Sequence, residues 1–279
     1  MRTRLLTAAV ALPLLFAAII VPWWVHETVW IFVGLAVLAL AAGLFEYFSL
    51  TKKMELKADA GIGYIGAVIL TFAFAVDAPA KAPDLLLLAI ALFLIALLIS
   101  QSFRFQADFT KMLAGIGVTL VGVFYLAFLG GFLIATRVGF ESVPGLSTKL
   151  LLFFFIVIFG SDAGAYFAGK ALGKHKLAPK ISPGKTWEGL IGGIIAAAGM
   201  GALCTWAFFP EFPYQFSIAL AALMAVVGVL GDLTESAIKR GAGAKDAATI
   251  LPGHGGLLDR LDSLLFNAPI LYYFARFYF

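Results

Sequence analysis

Residues 147–170 read STKLLLFFFIVIFGSDAGAYFAGK. Positions 150–159 are unbroken apolar residues, followed by Gly-Ser-Asp and a second apolar half that ends on Lys170. A helix of roughly 20 mostly apolar residues crosses the hydrocarbon of a bilayer. Asp162 lies eight residues before Lys170, which places it roughly 12 Å of helix inside the span at the usual rise. A carboxylate at that depth is expensive and marks function. The neighbouring glycines permit close helix packing. This stretch therefore fixes a membrane fold and opens a search for a site at one membrane face.

The whole chain agrees with its sixth apolar segment. Of 279 residues, 62% are hydrophobic and 13% charged, with a mean hydropathy of +1.00. No single water-soluble core hides that much apolar surface, so lipid must solvate part of it. Segments at about 5–26, 28–50, 60–77, 84–100, 112–137, 147–170, 189–209, 216–239 and 262–279 meet or approach the length test. The fold class expected is an all-α integral membrane protein with about nine transmembrane helices. The first segment has two arginines and no convincing small-x-small cleavage site before Pro22-Trp23-Trp24, so it reads as an uncleaved span.

Basic residues in short loops set orientation. With a cytoplasmic N-terminus and nine spans, only Lys81, Arg137, Lys149 and Arg276 of the 20 basic residues fall outside. The expectation is an N-terminus inside and a C-terminus outside, with lysine-rich loops in the cytoplasm. Residues 1–145 read as a five-span scaffold with few polar groups at depth. Residues 146–279 read as a four-span catalytic part with two cytoplasmic loops, both halves forming one membrane unit. No internal repeat is visible. The net charge of +4 reflects those loops and implies no nucleic-acid partner. The one cysteine, Cys204, can form no intrachain disulfide, and no cysteine–histidine cluster offers a zinc site.

Three polar clusters gather on the expected cytoplasmic side. The first surrounds Asp162. The second is KISPGKTWEG, residues 180–189, where Ser182, Lys185 and Thr186 offer hydroxyls and a point charge suited to phosphate. Its PGKT is not a P-loop, because Pro179 occupies the position of the required first glycine and no strand is expected before it. The third runs from Asp232 to Ser263. Asp232, Glu235, Ser236 and Lys239 recur at helical spacing and share one helix face. After a glycine-rich loop, Asp259 and Asp262 open the last helix on one face. Carboxylates that converge from separate helices repel unless a cation lies between them. Hard oxygen donors favour magnesium over zinc. Lys239, Arg240, Lys245 and Arg260 would attract phosphates. Acids for a cation, bases for anions and glycines for close backbone approach describe a nucleotide or polyphosphate site. Its place at the membrane edge points to a lipid as second substrate.

Ser236-x-x-Lys239-Arg240, Lys245-Asp246, Pro252-Gly253-His254-Gly255-Gly256, Asp259-Arg260 and Asp262-Ser263 resemble the signature of the phosphatidate cytidylyltransferase (CDP-diacylglycerol synthase) family. SDAGAYFAGK and SPGKTWEG are similar to other recurrent segments of that family, so the likeness covers about residues 159–263. Thr234 departs from it, standing where an aromatic residue is more usual. The resemblance implies the reaction CTP + phosphatidate → CDP-diacylglycerol + pyrophosphate with Mg2+, with room for a second cation, in a homodimer of the bacterial inner membrane whose site faces the cytoplasm. On this reading Asp232 and Asp259 hold the metal. Lys239, Asp246 and Asp262 serve catalysis, Asp246 and Asp262 as supporting carboxylates. Ser182, Lys185, Thr186, Ser236, Arg240, Lys245, His254, Gly255 and Arg260 bind substrates, while Asp162, Glu188 and Glu235 are accessory. Two rivals remain: a CTP-dependent polyprenol or lipid kinase, in which the γ-phosphate would move, and an ion-coupled transporter using Asp162 and Asp232. The missing inverted repeat and the one-sided charges argue against the transporter.

Overall fold

The computed structural model describes residues 2–80, 82–105, 109–140, 143–245 and 256–279. Its helices are α1 (Arg2–Ile20), α2 (Val29–Lys53), α3 (Ala60–Ala80), α4 (Asp84–Arg104), α5 (Met112–Val123), α6 (Leu129–Val138), α7 (Leu146–Leu172), α8 (Trp187–Ala207), α9 (Tyr214–Gly241) and α10 (Leu258–Tyr278). A π-helical turn, Phe124–Phe128, joins α5 and α6 into one rod. Among the described residues this gives nine rods, one for each apolar segment of the sequence. Seven of them, α2 to α4, the α5–α6 rod and α7 to α9, are long and apolar enough to cross a membrane. Of the other two, α1 shows an apolar stretch at Leu12–Trp23 among the described residues, and α10 carries Asp259, Arg260, Asp262 and Arg276.

The all-helical expectation needs one amendment. The segment between α7 and α8 is an antiparallel hairpin, β1 (Lys176–Ala178) and β2 (Ser182–Thr186), with Lys176 opposite Thr186 and Ala178 opposite Ser182. A strand thus precedes PGKT after all, but PGKT itself lies in a strand, not in a loop wrapped around a helix start. Thr186 ends the hairpin and begins α8, its hydroxyl accepting the Gly189 N–H at 3.1 Å. Such a cap satisfies one of the orphan donors of a helix start.

Packing follows the small residues. A Cβ on Gly192 would stand 2.2 Å from the Cβ of Ala168, and one on Gly164 would stand 2.3 Å from that of Ala196. Helices α7 and α8 therefore touch nearly backbone to backbone, as small-residue seams allow in lipid. The core itself is aromatic and aliphatic. Phe153, Phe154, Phe209 and Phe212 are fully buried, and one contiguous cluster runs from Leu44 on α2 to Leu265 on α10. The outer face of α4 exposes Leu87, Leu88, Leu92, Ile95 and Ile99, the inside-out pattern of a lipid-facing surface.

The two ends of the bundle differ in chemistry. At one end Lys149 on α7 pairs with Glu211 at 2.7 Å, and buried Arg137 donates to the Thr148 hydroxyl at 3.0 Å and the Ile19 carbonyl at 3.3 Å. At the other end Asp59 caps α3 by accepting the Ile62 N–H at 3.2 Å and also accepts from the Ser100 hydroxyl. Burial alone would raise the Asp59 carboxyl; hydrogen bonds from Ser100, Ile62 and Gln101 and the charge of Arg104 instead hold it below its ordinary value. This second end also gathers the hairpin, the last turn of α9 and the start of α10. The Arg240 Nε donates to the Ile181 carbonyl at 3.2 Å, tying the hairpin to α9.

Candidate active site

Where α9 stops is decided by Gly243. It adopts φ +62°, a left-handed conformation that glycine takes at no steric cost. The Gly243 N–H then bonds Arg240 O at 3.0 Å and the Ala244 N–H bonds Lys239 O at 2.9 Å. That pair is a Schellman motif, which satisfies the last carbonyls of the helix. It places Lys239 and Arg240 in the last turn of α9 and puts Glu235 and Asp232 one and two turns deeper.

Beside α9, α10 begins at Leu258. Asp259 lies in its first turn and reaches back, its Oδ2 accepting the Gly256 N–H at 2.8 Å, while its Oδ1 meets the Lys239 ammonium. Asp262, one turn on, is 9% exposed and accepts the Ser263 N–H at 2.5 Å. Helix α9 lies close against it, since a Cβ on Gly231 would stand 2.5 Å from the Asp262 carbonyl oxygen.

A cavity of about 480 Å³ opens between α7, the hairpin, α9 and α10. Its walls carry Asp162, Asp232, Asp259 and Asp262, the bases Lys170, Lys185 and Arg260, and Thr186 and Ser263. Lys185 reaches from β2 to Asp232, with 2.5 Å between Nζ and Oδ2. The other oxygen of Asp232 accepts the Ser236 hydroxyl at 3.2 Å. One oxygen each from Asp232, Glu235 and Asp262 lie within 4.8 Å of one another. Glu235 is fully buried; its Oε2 is 2.6 Å from the Lys239 ammonium, and its Oε1 has no hydrogen-bond partner among the described residues. A close set of hard oxygens with one oxygen left unpartnered fits a divalent cation of the magnesium class.

The structure thus gathers most of the residues expected from the sequence, with a different grouping. Asp232 is common to both. The sequence pairs it with Asp259, whereas the oxygens that stand with it are those of Glu235 and Asp262. Asp259 lines the same cavity but spends its oxygens on Lys239 and the helix start. Among the bases, Lys185 and Arg260 face the cavity. Lys239 stands behind it between Glu235 and Asp259. Arg240 braces the hairpin, and Lys245 is exposed and off the cavity wall. Thr186 lines the cavity while it caps α8. Ser182 is taken up in strand pairing, and Glu188 accepts from the backbone and ring of His175, at 3.2 Å and 2.6 Å. Asp246, His254 and Gly255 lie outside the described residues.

Two residues of the first 145 belong to this neighbourhood without having been singled out. Glu46, in the middle of α2, is fully buried, and its carboxyl accepts the N–H groups of Leu257 and Leu258 at 2.9 Å and 2.7 Å. Tyr125 sits on the π-turn against Phe266, one turn beyond Asp262, with ring centroids 6.1 Å apart. Its hydroxyl is buried without a hydrogen-bond partner among the described residues. Glu46 carried a signal, being a lone acid within an apolar run. The π-turn under Tyr125 left none in the sequence.

Comparison with known proteins shows the family. The cytidylyltransferase family matches the chain over residues 2–278. A phosphatidate cytidylyltransferase of Bacillus subtilis (strain 168) is 35% identical over 239 residues, covering 85% of this chain and 87% of that protein. One from Synechocystis is 31% identical over 296 residues, covering 98% and 95%. A third, from Brucella suis biovar 1, is 43% identical over 170 residues, 61% of each chain.

Proposed function

The chain belongs to the cytidylyltransferase family, and from that premise we infer that it transfers the cytidylyl group of CTP to phosphatidate, yielding CDP-diacylglycerol and pyrophosphate. It is a nucleotidyltransferase of the membrane, with seven helices of spanning length and composition. The observation that carries the reading is the cavity at one end of the bundle, where three crowded carboxylates lie beside Lys185 and Arg260. Acids and bases brought together in one pocket suit a polyphosphate that arrives with a cation, and the lipid-facing helices around it suit a lipid phosphate as the second substrate.

A phosphate monoester is already an anionic nucleophile, so no strong general base is required. Its oxygen forms a bond to the α-phosphorus of CTP, the bond from that phosphorus to the β-phosphate oxygen breaks, and pyrophosphate leaves. The difficulty is holding two polyanions together in line, so charge neutralisation and orientation supply most of the acceleration. Magnesium bound here would neutralise phosphate charge and fix the angle between the reactants. Asp232 and Asp262 would hold it with Glu235 behind them, and Asp259 would join by releasing Lys239. Lys185, Arg260 and Lys170 face the cavity and would hold phosphates. Lys185, which meets Asp232 from β2, would also reach a phosphate oxygen of CTP. Thr186 holds the end of the hairpin and so the position of Lys185. Asp162 on the opposite wall would order the hydrated metal or the lipid headgroup.

The lysine bias of the loops supports a cytoplasmic face for this end, which suits a CTP-using enzyme of a bacterial inner membrane. The family resemblance supports a homodimer, which sizing in nanodiscs checks. Purified protein incubated with α-labelled CTP and phosphatidate should place label in the lipid and release pyrophosphate. CDP as the nucleotide product would overturn the reading in favour of a lipid kinase.

A further inference from the structure

We infer that Glu46 is a positioning residue for the site, acting through the N-terminus of α10; the inference rests on the reaction proposed above. Glu46 lies 211 and 212 positions away from the two amides it receives. No local sequence rule links them. A charged residue type in the middle of an apolar helix is costly in lipid and persists only where something depends on it. Here its two oxygens take the N–H groups of Leu257 and Leu258, which α10 cannot satisfy from within itself. The Gly256 N–H goes to Asp259, and the Arg260 and Leu261 N–H groups go to the Leu257 carbonyl at 2.9 Å and 3.1 Å. Consecutive amides from Gly256 to Leu258 are therefore held by two carboxylates, one from within α10 and one from α2.

Side-chain packing fixes that grip. One turn before Glu46, a Cβ on Gly43 would approach Leu261 at 3.2 Å and Leu126 at 3.1 Å. Helix α2 thus packs on the Leu261 side chain of α10, next to Asp262. This contact and the fork together set the turn on which Asp259 and Asp262 emerge relative to Asp232 and Glu235 on α9. Carboxylates displaced by about 1 Å lose the shared geometry a small, octahedral cation demands. Glu46 touches neither reactant; its effect is on where Asp259 and Asp262 stand.

The test uses full-length protein in nanodiscs with Glu46→Gln and Glu46→Asp. Glutamine keeps the size of the side chain but turns one acceptor into a donor facing an N–H. Aspartate keeps both acceptors on a stem one carbon shorter. Three quantities are measured: Mn2+ affinity by electron paramagnetic resonance, hydrogen exchange of amides 256–262, and kcat against KM for each substrate. Glu46→Gln should weaken Mn2+ at least 10-fold, speed exchange at Leu257 and Leu258 by a similar factor, and lower kcat at least 10-fold. KM for phosphatidate should stay within about 2-fold. Glu46→Asp should recover part of the loss in all three. A merely structural glutamate predicts a lower unfolding midpoint with wild-type Mn2+ affinity and kcat in the folded fraction, and that result overturns the inference. Should wild type make no CDP-lipid, the reaction fails on its own account. Unchanged Mn2+ binding and amide exchange in Glu46→Gln would then still overturn the role given to Glu46.

Discussion

Replacing Asp262 by asparagine should stabilise the metal-free protein while abolishing its turnover. One oxygen each from Asp232, Glu235 and Asp262 crowd within 4.8 Å. Two unit charges at that separation repel by at least about 3 kcal/mol at an effective dielectric constant of ~20. Asp262 takes part in two of the three pairs. Lys185 against Asp232 and Lys239 against Glu235 offset much of this, which leaves a net relief of about 1–3 kcal/mol on removing one charge. Asparagine keeps the shape and still accepts the Ser263 N–H through Oδ1, so no cavity opens. At roughly 2–4 °C per kcal/mol for a chain of this size, the unfolding midpoint in EDTA should rise by about 2–12 °C. Magnesium should then raise the midpoint of the wild type by mass action and leave that of Asp262→Asn where it was. Turnover should fall at least about 100-fold. Thermal unfolding followed by tryptophan fluorescence, with and without Mg2+, reads the first two effects, and lipid labelling reads the third. A lower midpoint in EDTA together with an undiminished magnesium increment would refute both the crowding and the shared ion.

Lys185→Gln removes the cation that meets Asp232 from β2; KM for CTP should rise about 10-fold or more, as expected for a lost charge-assisted contact to phosphate, while KM for phosphatidate moves less than 2-fold. An equal rise in both would place Lys185 between the substrates. At the far end of the bundle, the hydrogen bond from Lys149 holds the Glu211 carboxyl below its ordinary value of 4.5. A lowered carboxylate adds stability that is present above the unfolded value and lost as the pH falls through the folded one. The pair is solvent-exposed and worth less than about 1 kcal/mol. Glu211→Gln should therefore unfold at most a few degrees below wild type at pH 7, with the two curves converging as the pH falls below the ordinary carboxylate value; a gap that widens with acid would show that the sign is wrong.

The spans were legible because their signal is long and one-dimensional. Twenty apolar residues need no knowledge of neighbours, and each segment read from the sequence reappears as a helical rod among the described residues, seven of them long and apolar enough to span. The face of α9 was legible for a similar reason: Asp232, Glu235, Ser236 and Lys239 follow the helical period, and their side chains interact as neighbours do at that spacing. The partners across helices could not be read this way. Asp259 and Asp262 differ by one turn, and which of them meets Asp232 depends on how far α10 begins before it passes α9. That offset is set by the Glu46 carboxyl and by the small residue at Gly43, both on a helix some 200 positions away. The hairpin was missed because SPGKT carries turn-forming Pro and Gly where strands usually do not; its pairing rests on three-residue β1.

The antiparallel meeting of α9 and α10 explains why the acids and bases sort as they do. A helix favours cations at its C-terminus and anions at its N-terminus, each by a few tenths to about 1 kcal/mol. Lys239 and Arg240 occupy the last turn of α9, and Asp259 occupies the first turn of α10. These three sit where the backbone favours them, and Lys239 with Asp259 closes the gap between the two ends. Asp232, Glu235 and Asp262 receive no such help. They lie deeper, away from helix ends that would welcome them, and close enough to repel. Residues at the helix ends are what any stable membrane bundle could show. The three inner carboxylates, which Lys185 and Lys239 neutralise only in part, suit the cation proposed above, and that proposal is what would separate a structural cap from a catalytic centre within the same stretch of chain.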